Sequence, residues 1–302
     1  MKTEFLKYLG LELNRSGRTV EEYGKDLDGL ATFLGLDDEL TGAATITTAD
    51  IRGWLAEMAR GGLAPRSLRR KTQAARAFFK WMQRRGLIDI NPAQEIQLAK
   101  TGRKLPQFVR EQEMESLLES PAMGGDPALA MRNRLVLNLL YSCGLRREEL
   151  SKVTDADINV HSRELRVHGK RDKTRILPLP DPLVREITEW QAVRDSLYRL
   201  PRPAPLICSA RGAMSGSSIY RIVHEALLST GATHKSPHTL RHTFATAMLN
   251  DGAEINSVKE LLGHSSLQST QIYTHLTFNE LKKAYAMSHP RGERRAADAD
   301  KK

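Results

Sequence analysis

Apolar residues recur through the first hundred positions at spacings of three and four, the period of helices that bury one face. Phe5, Leu6, Leu9 and Leu13 mark a first helix, and Tyr23, Leu27, Leu30 and Leu34 a second with Thr19 as its cap. Ile51, Leu55 and Met58 mark a third, capped by Thr48 and stopped at Gly61-Gly62. Pro65 opens a fourth that runs to about residue 85. The period then disappears: residues 100–106 read Lys-Thr-Gly-Arg-Lys-Leu-Pro, polar, basic and interrupted by breakers. The pattern predicts a helical domain over 1–98, a linker over 99–106 and a second domain over 107–291. The charged, alanine-rich residues 292–302 are expected to form a disordered tail.

The second domain mixes two periods. Helical spacing is predicted over 111–118, over 127–141 (Leu135, Val136, Leu139, Leu140), again after Gly144, and over 181–197 and 217–228. Between them, residues 165–179 alternate apolar and polar about a turn at 169–172, the signature of a β-hairpin. A helix starts at Pro237 with Ser236 as cap, buries Phe244, Ala245, Met248 and Leu249, and ends near Gly252. Another spans 255–262 and stops at Gly263; a last one covers 278–287, with Leu281, Ala284 and Tyr285 as a small apolar face. The predicted fold is mainly α, with a small antiparallel β-sheet in the C-terminal domain.

Charge adds a direction to this picture. The chain carries a formal +10 over 302 residues, which favours a polyanionic partner. The excess is segregated: residues 1–40 hold nine acids against five bases, whereas residues 65–85 hold eight Lys or Arg and no acid. A solvated basic face would intersperse acids, so the fourth helix reads as a DNA-facing surface, with Arg66, Arg69, Arg70, Arg76 and Lys80 as the expected contacts. No run approaches the roughly 18 apolar residues of a membrane span, and the N-terminus lacks a signal-peptide core. Two cysteines, Cys143 and Cys208, are too few for a disulfide framework. The expectation is a cytoplasmic protein that does not touch membranes.

Candidate chemistry concentrates in residues 236–275, where Ser-Pro-His-Thr-Leu-Arg-His (236–242), Leu-Gly-His-Ser (262–265) and Ser-Thr-Gln-Ile-Tyr-Thr-His (269–275) follow one another. His238, Arg241 and His242 stand at i, i+3 and i+4, so one helical face is expected to gather them. A guanidinium offers a planar fork that matches two phosphate oxygens. A tyrosine needs a neighbour to take its proton before it becomes a nucleophile. Together the residue types suggest Tyr273 attacking a phosphodiester. More cations are then needed for the charge that builds on phosphorus. Gly-Leu-Arg-Arg-Glu-Glu-Leu at 144–150 places Arg146 near a helix N-terminus with Glu149 one turn on, and the predicted hairpin turn carries Lys170.

With these motifs in order, the chain resembles the tyrosine site-specific recombinases (the phage integrase family), over nearly its whole length. The ending Tyr285-Ala-Met-Ser-His-Pro-Arg is most similar to the Xer subfamily. The resemblance implies a two-domain DNA clamp whose catalytic residues are Arg146, Lys170, His238, Arg241, His264 and the nucleophile Tyr273, with Glu149 accessory. It implies transesterification through a 3′-phosphotyrosyl link, with no cofactor, metal or ATP. Lys170 would be the general acid, His238 the base and His264 a phosphate donor, while Glu149 would orient His238 or a neighbouring cation. It implies double-stranded DNA as partner and a homo- or hetero-tetramer in which the last helix docks on a neighbouring subunit. A second Xer recombinase, a DNA translocase and a role in resolving chromosome dimers at a dif-type site belong to the same implication.

Three other readings fit parts of the sequence. His238 and His242 have the spacing of two zinc ligands on a helix, but position 239 is Thr where a metallohydrolase needs a base Glu. A non-catalytic DNA-binding protein would not need the full residue set. An integrase of a phage or conjugative element often carries an extra arm-binding domain, and the immediate start of the first core-type helix favours the compact type.

Overall fold

The computed structural model describes residues 1–97, 108–119, 125–169, 174–263 and 278–291, and the chain divides into two compact units, Met1–Lys104 and Leu105–Lys302. The expected linker, the turn of the hairpin and the C-terminal tail lie outside the described residues.

In the first unit, α1 (Lys2–Lys7) runs into a π-helical turn (Tyr8–Glu12), followed by α2 (Gly17–Leu34), α3 (Thr48–Arg60) and α4 (Pro65–Arg84). Their apolar stripes meet in one core built on Phe5, Leu27, Leu30, Ile51, Trp54, Phe78 and Phe79. Phe5 packs edge-on to Phe78 at 5.4 Å between ring centroids, a geometry that adds to simple area burial. Several local expectations are corrected. The π-helical turn inserts a residue into the helical count, so Leu13 rotates outward and is 42% exposed instead of continuing the stripe. Helix α2 begins earlier than expected, because Ser16 rather than Thr19 takes the capping position and accepts from the Thr19 N–H. Helix α3 is capped by Thr47, not Thr48: Thr47 accepts from the Asp50 N–H, and the Asp50 carboxylate accepts in return from the Thr47 N–H at 2.8 Å.

The second unit is organised around α6 (Pro127–Ser142). Every residue from Leu135 to Ser142 is buried, so the second half of this helix is enclosed on all sides and sits at the centre of the unit. Against it pack α5 (Glu111–Glu119), α7 (Arg147–Leu150), α8 (Asp181–Leu197), α9 (Gly216–Ala226) and α10 (Pro237–Asn250), while α11 (Ile255–Leu262) and α12 (Phe278–Ser288) pack on α10. Strands β1 (Ile158–Asn159), β2 (Glu164–His168) and β3 (Thr174–Pro178) form an antiparallel sheet in that order, with Val167 opposite Arg175. A short second hairpin, β4 (Cys208–Ser209) with β5 (Gly212–Ala213), completes the described strands. Fully buried Arg194 is neutralised by Asp155 and Asp195, which fastens α8 to the segment before β1. Ser236 holds the capping position of α10 but its side chain makes no capping bond, and its hydroxyl meets that of Thr239 at 3.2 Å. Leu249, expected in the core, is 42% exposed near the C-terminal end of α10.

Helix α12 packs against α10, α11 and β3 of its own chain. Tyr285 and His289 are buried, their rings parallel at 4.8 Å, with Phe244 and Tyr141 alongside. Tyr285 therefore packs within the core of this unit. Burial pushes the His289 imidazole down to about 3, with Arg291 adding to the effect against the nearby Tyr141 backbone.

The turn into α7 depends on Gly144. Its φ is +57°, and a Cβ there would meet Phe244 Cδ1 at 2.7 Å and Leu262 Cδ2 at 3.0 Å. Gly144→Ala is expected to destabilise the second unit by about 2–4 kcal/mol, from left-handed strain and overpacking together; an unchanged urea midpoint contradicts this. A pH dependence follows from His289. Its folded pKa lies below the unfolded value of about 6.5, so above pH 6.5 both states are neutral and it contributes nothing. Below pH 6.5 the unfolded chain binds a proton that the folded chain does not, and stability falls by roughly 1 kcal/mol per pH unit until about pH 3. His289→Gln should flatten that limb of a urea-midpoint titration.

Candidate active site and nucleic-acid interface

The C-terminal end of α11 assembles the site. A helix leaves its last four carbonyls without intrahelical donors. Here Gly263, in the left-handed conformation at φ +64°, turns its N–H back to the carbonyls of Lys259 and Glu260. The next three carbonyls each receive an arginine. Arg175 Nε donates to Leu261 O at 2.8 Å, Arg241 Nη2 to Leu262 O, and Arg146 Nη2 to Gly263 O at 3.3 Å. Cations are also favoured there by the negative end of the helix dipole. The three guanidiniums come from a β-strand, from the middle of α10 and from the N-cap of α7, elements far apart in sequence.

Glu149 supplies the counterion. Its side chain is only 5% exposed and its Oε1 accepts from Arg146 Nη1 at 2.7 Å and Arg175 Nη1 at 3.0 Å. Its Oε2 accepts from Arg175 Nη2 at 2.8 Å and from the Arg146 backbone N–H at 2.8 Å. Burial acts to raise the carboxyl pKa, but the Arg175 fork and then the Arg146 backbone and side-chain N–H groups prevail and hold it below the usual range. The neighbouring cations that Glu149 orients are thus Arg146 and Arg175. Arg175 escaped the sequence reading: it stands beside the turn expected to carry Lys170, and only the β2–β3 register turns it toward α11. Its signal in the sequence was a lone basic residue within an alternating strand.

Arg241 is 4% exposed and donates Nη1 to Gly144 O as well as Nη2 to Leu262 O. Burial, then the charge of Arg146, push its guanidinium down to about 9, against the pull of Glu149. His238 lies one turn earlier on α10 and is exposed, and its ring meets that of His242 edge-on at 4.8 Å. The face shared by His238 and His242 is therefore outward, whereas Arg241 turns inward. Among the described residues no group of three His, Cys, Asp or Glu side chains gathers as metal ligands. Lys170, His264 and Tyr273 lie outside the described residues. Gly263 precedes His264 directly, so the arginine-held carbonyls lead into the segment that carries His264 and Tyr273.

Helix α4 of the first unit presents a different surface. Arg66, Gln73, Lys80 and Arg84 follow one another at spacings of seven and four and are all exposed, a stripe opposite the Phe78–Phe79–Met82 core face. An open cleft of about 870 Å³ beside it is lined by Tyr8, Tyr23, Gln73, Arg76, Lys80 and Arg84, among others. Not every cation of α4 faces this way. Arg70 and Lys71 both pair with Asp26, a buried carboxylate that requires a counterion. Arg76 donates to the carbonyls of Ala93 and Ile96, tying the following segment to α4. Arg66 and Lys80 make no ion pair with another described residue. No helix among the described residues is long and apolar enough to cross a membrane. Both cysteines are free and buried, and burial pushes the Cys143 thiol up to about 12, where it is inert.

Comparison with known proteins gives a consistent result. Residues 107–280 match the phage integrase family, and residues 3–86 match the phage integrase N-terminal SAM-like domain. The chain is 36% identical to the tyrosine recombinase XerC of Alcanivorax borkumensis over 97% of this chain and 95% of that protein. It is 38% identical to XerC of Pelotomaculum thermopropionicum over 96% and 97%. Among solved structures, XerH bound to a palindromic difH substrate superposes with a TM-score of 0.70 at 23% identity, over 95% of this chain and 84% of that one. The Tn1549 transposon integrase in complex with transposon right-end DNA reaches the same TM-score at 19% identity over 93% and 97%; both show the shared fold. With both domain models matched in order and full-length relatives above 30% identity, the chain belongs to the phage integrase family and is a tyrosine recombinase.

Proposed function

We propose that this recombinase cuts and rejoins double-stranded DNA at a dif-type chromosome-terminus site and so resolves chromosome dimers. The reading rests on the cluster of Arg146, Arg175 and Arg241 at the carbonyl end of α11, in a chain whose full-length relatives carry the XerC name. Three guanidiniums against the single charge of Glu149 leave an excess of positive charge where a phosphodiester in transition is most negative. Tyr273 Oη forms the bond to phosphorus while the bond to the 5′-oxygen breaks. The phenolic proton passes to His238, and Lys170 delivers a proton to the leaving 5′-oxygen. Arg146 and Arg241 hold the non-bridging oxygens, with His264 as a further donor. Attack of the partner strand's 5′-hydroxyl on the phosphotyrosine reverses the step and restores the tyrosine. The number of phosphoester bonds is conserved, so the exchange needs no external energy source.

Such an exchange brings four protomers together on two duplexes, either identical or paired with a second Xer recombinase, and a DNA translocase is the expected activator. The exposed cations of α4, Arg66 and Lys80 first among them, contact phosphates and set the register of the first unit on the duplex.

The reading is tested with a nicked duplex carrying the host's chromosome-terminus site, incubated with EDTA and quenched in SDS. A covalent protein–DNA band that Tyr273→Phe abolishes is expected, while an adduct that survives in this variant contradicts the assignment of the nucleophile. Arg241→Ala should lower the cleavage rate constant about 100- to 1000-fold with DNA still bound. For the interface, Arg66→Ala and Lys80→Ala should each weaken binding evenly across DNA sequences and reduce the salt slope of log affinity by about 1. Unchanged slopes in both would place the phosphate contacts elsewhere.

A further inference from the structure

Arg175 is a charged side chain that is largely buried, is given no phosphate oxygen to hold and no proton to move in the chemistry above, and yet ties Glu149 to the end of α11. Its three nitrogens are all committed. Nη1 and Nη2 take the two oxygens of Glu149 at 3.0 and 2.8 Å, and Nε takes Leu261 O at 2.8 Å. A Cβ on Gly263 would meet Arg175 Cδ and Nη1 at 3.2 Å, so the α11 cap is closed directly over this side chain. Glu149, in turn, spends both oxygens on Arg146 as well, one on its Nη1 and the other on its backbone N–H. Each of the three Arg175 nitrogens already donates inside the protein and the side chain is only 13% exposed, so it is poorly placed to take a phosphate. The group it orders is Arg146, whose side chain is 40% exposed and whose Nε has no partner among the described residues.

We propose that Arg175 is a positioning residue for strand cleavage: through its bidentate hold on Glu149 it aims the Arg146 guanidinium at the scissile phosphate. The inference rests on the reading of Arg146 as a phosphate clamp. Without Arg175, Glu149 is a buried carboxylate with one cation instead of two, and it is free to swing toward Arg146 and draw that guanidinium off its line. A displacement of that kind costs on the order of 100-fold in rate even when every reacting group remains in place. Lysine cannot substitute, because a single ammonium cannot span two carboxylate oxygens and a carbonyl at once.

The test compares Arg175→Lys and Arg175→Met with wild type in single-turnover cleavage of the nicked terminus-site duplex, with the scissile linkage either a phosphate or a methylphosphonate. The methylphosphonate lacks the negative non-bridging oxygen that Arg146 serves. Cleavage of the phosphate duplex should fall on the order of 100-fold in both variants, with DNA affinity and melting temperature close to wild type for Arg175→Lys. On the methylphosphonate duplex the deficit of Arg175→Lys should shrink to within a few-fold of wild type, in parallel with Arg146→Ala. An equal deficit on both duplexes, or a wild-type rate on phosphate, overturns the proposal. If methylphosphonate fails to relieve Arg146→Ala itself, the clamp reading of Arg146 has failed instead, and the positioning role falls with it. A double-variant cycle adds an independent readout: Arg175→Lys with Glu149→Gln should cost about as much as either alone, whereas additive losses would mean the two act separately.

Discussion

The candidate site depends on the carbonyls at the end of one short helix, which have no donors within the helix itself. Helix α11 needs donors for Leu261, Leu262 and Gly263, and it receives three guanidiniums from three separate elements. Each donor bond fixes an arginine as firmly as it satisfies a carbonyl, so the need of the backbone and the need of the chemistry are met by the same contacts. Arginines would ordinarily repel one another at this density. Glu149 and the helix dipole hold them together, and the remaining excess of positive charge is what an anionic substrate encounters.

The rest of the unit can be understood as holding that end in place. Gly144 brings its own carbonyl to Arg241 and lies against Phe244 and Leu262, a contact too close for any side chain. Phe244 belongs to α10, which carries Arg241, and it also packs with Tyr285 of the last helix and with His289 just after it. The aromatic stack therefore reaches from α12 to the turn beneath Arg241. The buried, neutral His289 makes that stack an apolar element at neutral pH, and the first part of the unit to weaken on acidification.

Much of this was legible in the sequence, for identifiable reasons. Helices α8 and α11 have the bounds that their apolar periods and breakers indicate, because Pro182 in the first turn and Gly263 at the end are strong punctuation. The Gly-Leu-Arg-x-x-Glu motif placed Arg146 and Glu149 on adjoining turns, where they do pair. What local pattern could not supply was partnership across the fold. Arg175 is one basic residue in a strand until the sheet register carries it to α11, and the inward turn of Arg241 depends on carbonyls 97 and 21 residues away. The basic run of α4 was legible as charge. Asp26, 44 and 45 residues distant, decides that Arg70 and Lys71 are spent inside the unit. Caps at Ser16 and Thr47 were missed by one to three positions because neighbouring hydroxyl residues compete for the same role.

The arginines proposed to bind phosphate are held in place by α11 before any DNA arrives. The most direct measurement is ¹⁵Nε relaxation of the arginine side chains in the DNA-free protein. Order parameters for Arg175 and Arg241 close to those of rigid backbone, about 0.85, and a value for Arg146 well above that of exposed Arg66, are the result expected of a preformed site. If Arg146 and Arg241 move as freely as Arg66, with order parameters below about 0.6, then DNA builds the cluster and the carbonyl end of α11 does not.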